Sequence, residues 1–262
     1  MKKILGILAA GFILSVKKTL KKILNRIRVI FIAIRNNLIP FPRFPKRTKF
    51  AYELFQQEEL EKCYNHFKKF FKHSVFLYTG GEISSGRIRE YAIKLAIKND
   101  KNLKKTYLEF GVAGGLTINL FSKYLKKIYG FDSFEGLRED WVGHTQIAGT
   151  FDLNKKIPNV NKNVIIIVGW VQDTLEDFLI QNKPKINFVC MDMDTYETSK
   201  FILEKIKPYL TNHCIILFDQ LYNYTGWDVG EYKALQEVFK EDEYKFKAFS
   251  RNDRQVVIEI VK

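Results

Sequence analysis

The chain has 262 residues, 46% of them apolar and 27% charged, which suits one sizeable α/β domain with an appendage and is too apolar for a disordered protein. Its net charge of +14 invites a nucleic-acid reading, yet residues 1–50 hold 13 of the 43 Lys and Arg and no Asp or Glu. The other 212 residues carry 30 basic against 29 acidic side chains, so the body has no general attraction for a phosphate backbone and nucleic acid is excluded as the expected partner.

The first apolar run, 4–16, has 13 residues between Lys2-Lys3 and Lys17-Lys18. That is too short to cross a bilayer, which takes about 20. It has the length of a signal-peptide core, but no small-x-small cleavage site follows before Lys17. From Leu20 to Ile34, Leu20, Ile23, Leu24, Ile27, Ile30, Phe31 and Ile34 recur at three- and four-residue spacing among Lys21, Lys22, Arg26, Arg28 and Arg35. Residues 1–39 therefore read as a basic amphipathic helical extension suited to an anionic membrane surface, which would place the protein in the cytoplasm at the inner face of the membrane. The other reading packs this helix on its own domain or on a second copy, as in a homodimer. Pro40, Pro42 and Pro45 mark 40–50 as a linker, because each fixes φ and disfavours helix in the residue before it. Residues 51–262 form the body.

A helical stretch over 51–73 opens the body. Strand-like runs follow near 106–112, 127–132, 164–169, 186–192 and 214–219, alternating with helical patterns near 115–126, 173–181, 196–207 and 230–240. The segments YKFKAF and QVVIEIV, joined by a polar turn, read as a terminal hairpin. The expected architecture is an α/β doubly wound, mostly parallel seven-stranded sheet ending in an antiparallel hairpin. Cys63, Cys190 and Cys214 cannot all pair with one another, and the last two lie in apolar runs, so all three read as reduced core thiols.

The segment Glu109-Phe110-Gly111-Val112-Ala113-Gly114-Gly115 follows a strand and precedes a helix, where α/β folds bind nucleotides. Its glycines permit close backbone approach, and its spacing is not the G-x-G-x-x-G of dinucleotide sites. Asp132, followed by Ser133, ends the next strand about 20 residues on, where an acid holds ribose hydroxyls. Gly169-Trp170-Val171-Gln172-Asp173-Thr174-Leu175 would border an adenine, although Asp173 or Thr174 is as readily a helix cap. Asp192 and Asp194 are two residues apart, which in an extended strand puts both carboxylates on one face, and Asp219-Gln220 ends the adjoining strand. Such clustered acids repel unless compensated, and a hard cation is one compensator. His144 lies in a lid-like segment, 137–160, and Trp227, Asp228, Glu231 and Tyr232 read equally as an acceptor pocket or as loop packing.

With these blocks laid out, the stretch from Leu108 to Glu237 resembles the macrocin O-methyltransferase-like family of sugar O-methyltransferases. The resemblance rests on LEFGVAGG, FDSFEGL, GWVQDTL, MDMDTYETSKFILEKIKPYL and IILFDQ in order. It implies a class I methyltransferase, Rossmann-like fold and S-adenosylmethionine held by Glu109, Gly111, Gly114, Gly115, Asp132, Ser133, Gln172, Asp173 and Asp192. It further implies magnesium on Asp192, Asp219 and Gln220, Asp194 as the catalytic base, and a glycan, glycolipid or secondary-metabolite sugar as acceptor; His144, a catalytic candidate from its place in the loop alone, reads as readily as a solvated histidine. Gln220 departs from the family, which has two adjacent acids at that place. The competing readings are an NAD-type nucleotide-dependent sugar-modifying enzyme and a catalytically degraded membrane-associated scaffold.

Overall fold

A computed structural model describes Leu20, Ile23, Leu24, residues 50–79 and residues 87–262. The chain divides into two units, 1–50 and 51–262. Leu20, Ile23 and Leu24 are helical and exposed. The rest of the expected extension over 1–39 and the linker over 40–50 lie outside the described residues, apart from Phe50. Among the described residues, no helix is long and apolar enough to cross a membrane.

In chain order the body comprises α1 (Ala51–Phe71), β1 (Val75–Leu77), α2 (Arg87–Lys98), β2 (Thr106–Phe110), α3 (Leu116–Ser122), β3 (Ile128–Asp132) and β4 (Val164–Val168). It continues with α4 (Val171–Asn182), β5 (Ile186–Met191), α5 (Tyr196–Ile206), β6 (Leu210–Phe218), α6 (Glu231–Val238), β7 (Tyr244–Ser250) and β8 (Val256–Ile260). The strands form one sheet in the order β1-β7-β8-β6-β5-β2-β3-β4. Every pairing is parallel except those of β8, which runs antiparallel to β6 and β7.

Strand residues alternate between two apolar layers, as the two-residue period requires. Leu108, Phe110, Val189, Met191, Ile216 and Phe218 pack under α1, α4, α5 and α6, through residues such as Phe67, Phe178, Leu203 and Leu235. Tyr107, Phe188, Cys190, Ile215 and Leu217 face α2 and α3 through Ile88, Ala92, Ile93, Ile118 and Phe121. All six residues of β5 are buried, the mark of a central parallel strand covered on both faces. Cys63, Cys190 and Cys214 are buried and unpaired, in agreement with the core-thiol reading.

The doubly wound sheet and the terminal hairpin are as expected, but the sheet has eight strands rather than seven. The additional strand, β1, has three residues and pairs with β7 at the sheet edge, too short to leave an alternating pattern. Helix α2 is also new relative to the sequence reading. Ile88, Ala92, Ile93 and Ala96, on one face of it, are fully buried at helical spacing. Strand β2 lies between β3 and β5, so the chain winds outward to β3 and β4 and then returns to the other side of β2. Winding reverses there, and the crevice at the carboxyl ends of β2 and β5 is where such sheets bind ligands.

Candidate active site

The strand ladder extends one residue past several strand ends and so fixes the crevice floor. Asp192 N–H donates to Phe110 O (3.0 Å), Asp219 N–H to Met191 O (2.9 Å) and Gly111 N–H to Phe131 O (3.0 Å). Gly111 has φ +84°, and a Cβ there would lie 1.9 Å from the Asp192 carbonyl oxygen. This glycine is demanded by the approach of two strand ends, before any ligand is considered.

Above this floor lies a cavity of about 420 Å³. Of the residues expected at the site, Gly111, Asp132, Ser133, His144, Gln172, Asp192, Asp194, Asp219 and Gln220 line it. Glu109, Gly114, Gly115 and Asp173 do not. Glu109 alternates with Phe110 and so falls on the α2 side of the sheet, fully buried. Gly115, with φ +78°, is the residue before α3, and a Cβ on it would press on Pro158 and Val160, whereas one on Gly114 would meet open space. Asp173 is exposed in the first turn of α4. Neither it nor Thr174 caps that helix, which begins after Trp170 without a side-chain cap, and Thr174 instead donates back to Trp170 O.

At one part of the cavity, Asp132 organises the glycine turn. Its Oδ2 accepts the N–H groups of Val112 (2.8 Å) and Ala113 (2.7 Å), and its Oδ1 that of Phe134 (2.7 Å). A carboxylate offers about four acceptor positions, so capacity remains for a ligand hydroxyl. Gln172 donates to Thr198 Oγ1 (3.3 Å), while its buried Oε1 has no partner.

Elsewhere on the wall stand the acids. Strand β5 ends at Met191, and Asp194 has φ +63°, so simple strand alternation does not place Asp192 and Asp194. A tight turn brings both carboxyls to the cavity instead. Burial, with Asp219 and Asp194 alongside, raises the Asp192 carboxyl well above the ordinary carboxylate range. Burial and then the Asp219 charge push Asp194 up to about 7, and its buried Oδ1 has no hydrogen-bond partner. Glu231, fully buried beneath them, accepts the N–H groups of Met193 (3.5 Å) and Gln220 (3.3 Å) and ties the two strand-end loops together. Its carboxyl is raised by burial and then by Asp194.

The acids are compensated by a residue that the sequence reading did not identify. Arg89 of α2 donates from Nη2 to Asp219 Oδ1 at 2.7 Å, with both side chains largely buried. Burial pulls the guanidinium pKa down, but the Asp219 charge carries it above its ordinary value. Gln255 Nε2 donates to the same oxygen (2.6 Å), and Gln220 Nε2 donates to Asp219 Oδ2 (3.1 Å) and Asp192 Oδ1 (3.2 Å). These donors occupy most of the lone pairs that a divalent cation would need on Asp219, and Gln220 presents N–H rather than oxygen to the acids. Among the described residues no cluster of three or more His, Cys, Asp or Glu is arranged to hold a metal. The donor set therefore does not fit the magnesium site that the resemblance implies.

The lid-like segment folds over the crevice through paired backbone bonds, Leu137 N–H to Thr150 O (2.9 Å) and Gly149 N–H to Leu137 O (2.8 Å). Glu139 fastens it to α5 by accepting the Thr198 hydroxyl (2.9 Å) and that of Thr195. It brings Trp141 and His144 to the cavity, stacked at 4.1 Å and 13°. His144 Nδ1 is engaged by Gln146, and Trp141 Nε1 is buried without a partner. Arg254 lines the same space and lies over the rings of Trp141 (5.8 Å) and Tyr224 (5.5 Å).

Trp170 lines it with its expected loop, and Trp141, Arg138 and Arg254 join the lining without having been singled out. Trp227, Asp228, Glu231 and Tyr232 do not line it. Trp227 and Tyr232 pack with His66 and Phe67 of α1, and Asp228 pairs with Lys62 at 2.5 Å, so the packing alternative describes that loop.

Residues 108–221 match a family described as a methyltransferase domain. No curated protein sequence gives a significant match. Among solved structures, the calicheamicin methyltransferase CalS11 aligns at 24% identity over 66% of this chain and 78% of its own, with a TM-score of 0.55. Its apo form, titled a TDP-rhamnose 3'-O-methyltransferase, aligns at 22% over the same shares with a TM-score of 0.48. The O-methyltransferase NovP aligns at 17% over 70% of this chain and 84% of its own, with a TM-score of 0.47. The first likeness is one of fold: the chain has the class I methyltransferase fold, and residues 108–221 at its centre are similar to the methyltransferase-domain family.

Proposed function

We propose that this S-adenosylmethionine-dependent O-methyltransferase methylates a sugar hydroxyl of a glycan, glycolipid or secondary-metabolite precursor, with Asp194 as the base. The observation that carries the proposal is the buried, unpartnered Asp194 Oδ1 on the wall of the cavity that Gly111, Ala113, Asp132 and Gln172 also line. A base must be desolvated enough to want a proton and must have a free oxygen to receive it, and Asp194 meets both conditions.

The residues suit the donor. Asp132 retains acceptor capacity for ribose hydroxyls, the orphaned Gln172 Oε1 can accept from a purine amine, and Gly111 and Ala113 leave the turn without bulk. S-adenosylmethionine supplies, when bound, a methyl group on a positively charged sulfur. The protein's part is to hold the acceptor in line, to exclude water beneath the segment that Glu139 fastens, and to take the hydroxyl proton at Asp194 Oδ1. Trp141, buried and stacked on His144, holds that ring at the cavity, and Arg254 and Gln146 line the same space for hydroxyls. With Nδ1 engaged by Gln146, His144 keeps Nε2 for an acceptor hydroxyl and serves as an orienting partner to Asp194. Magnesium has no part in the proposal, since Asp219 and Gln220 are committed to Arg89 and to one another.

Titration calorimetry with S-adenosylhomocysteine tests the donor half. The intact chain should bind, and Asp132→Ala should lose binding together with the support of its glycine turn. Heatless titrations of both proteins would end the proposal.

We infer the acceptor's location from the tail. With 13 basic and no acidic residues over 1–50, the extension is proposed to hold the enzyme on an anionic membrane surface, presenting the site to a lipid-linked sugar. Deleting residues 1–45 should abolish sedimentation with anionic vesicles, and equal sedimentation of both proteins would remove this argument.

A further inference from the structure

We propose that Arg89 takes the place of a divalent cation, so that the acidic edge of this site is organised by an internal guanidinium and binds no metal. Three carboxylates, Asp192, Asp194 and Asp219, share the cavity wall at the ends of β5 and β6. Such a group holds together only if positive charge or protons neutralise part of it. Here the charge arrives from α2, on the opposite layer of the sheet, through the contact of Arg89 with Asp219 at 2.7 Å.

The remaining hydrogen bonds complete the substitution. Asp219 Oδ1 is shared by Arg89 and Gln255, and its Oδ2 receives the Gln220 amide, which also donates to Asp192. A second acid at 220 would add negative charge and remove those N–H bonds, whereas glutamine bridges two carboxylates as a donor. Turning its amide over would aim Oε1 at both carboxylates, so the N–H orientation is the one that the charges select. Arg89 and Gln220 therefore explain each other. With a guanidinium supplying the cation, the position that would hold an acidic ligand instead holds a neutral donor. A magnesium ion placed between Asp192 and Asp219 would meet the Gln220 N–H group, with the Arg89 charge beside it. Arg89 acts on the reaction through Asp219 and is a positioning residue.

The inference rests on the methyltransferase reading for what the site does, but its test does not need the cofactor. Manganese, a magnesium surrogate whose free aqua ion gives a six-line paramagnetic resonance signal, is titrated into the full chain. The wild-type protein should leave the signal unchanged at millimolar metal, and the paired substitution Arg89→Met with Gln220→Asp should take up about one equivalent, since it restores an open acidic set. Arg89→Lys, which keeps the charge, should leave the metal free. Wild-type protein that takes up manganese, and loses that uptake in Asp219→Asn, would overturn the proposal even if the paired variant fails to fold. S-adenosylhomocysteine affinity that is the same in EDTA and in magnesium is expected, and a loss of affinity in EDTA that magnesium restores would also overturn it. Absence of S-adenosylhomocysteine binding under every condition would count against the methyltransferase reading and leave the manganese result to stand by itself.

Discussion

The two parts of the cavity wall handle acidic side chains in opposite ways. At the glycine turn, Asp132 remains partly exposed and has three backbone N–H partners within 2.8 Å. At the ends of β5 and β6, the acids are crowded together, Asp219 is partnered by side chains drawn from α2 and the terminal hairpin, and Asp194 Oδ1 is buried without a partner. The first arrangement joins the ends of the adjacent strands β2 and β3, 19 and 20 positions apart, and shapes a loop. The second is assembled across the sheet and adjusts proton affinity. On the proposed function, binding of the donor and activation of the acceptor depend on different kinds of structure, and substitutions should separate them.

The largest effect is expected where the two parts meet. Gly111→Ala places a methyl group 1.9 Å from the Asp192 carbonyl oxygen at φ +84°, so urea unfolding should show a loss of about 3 kcal/mol or more, or no cooperative transition. Unfolding at the wild-type midpoint would mean that the strand ends can separate freely, and the division between the two parts would lose its physical basis.

Asp194→Asn should come next, with methyl transfer down by about 10²–10⁴-fold, the usual contribution of a general base, while S-adenosylhomocysteine affinity stays within error. Equal losses in both would merge the two functions. The pH profile sharpens this. The proposed base Asp194 would act only when deprotonated, and burial, then the Asp219 charge, pushes it up to about 7, so the rate should rise through neutrality and level off above it. A flat profile between pH 6 and 8 would assign the base elsewhere.

The smallest effect concerns Glu109. Burial, then the nearby Asp192 charge, raises its carboxyl well above the usual value, and neither oxygen has a hydrogen-bond partner. Stability that depends on this group is complete below its unfolded pKa and is lost as pH rises toward the folded one. Glu109→Gln should therefore stabilise the chain by about 1 kcal/mol at alkaline pH and by less in acid, read from thermal melts across pH. A melt lowered equally at every pH would reveal a packing role instead.

Much of this protein was legible in the order of its residues. Strand and helix periodicity located five core strands and the terminal hairpin, because alternation and helical spacing are the direct imprint of burial on one face. The ordered blocks from LEFGVAGG to IILFDQ located the crevice, since the carboxyl ends of parallel strands must gather at one edge. Nine of the thirteen expected site residues line the cavity for that reason. The placement of the others has equally physical causes. Glu109 followed the strand period to the far face, and Gly115 and Asp173 followed helix starts away from the crevice. Trp227 and Tyr232 pack on Phe67 of α1, far earlier in the chain. Strand β1 was too short to carry a period.

What the sequence by itself determined is the sheet, its edge and the acids placed there, all set by local patterns of apolar and small residues. What only the tertiary structure decided is the partner of each acid. Arg89 reaches Asp219 across 130 positions of sequence, and Gln255 across 36, so no spacing along the chain could announce either contact. Charge compensation is a property of distance in space, and the sheet sets that distance by stacking α2 and the hairpin against the ends of β5 and β6.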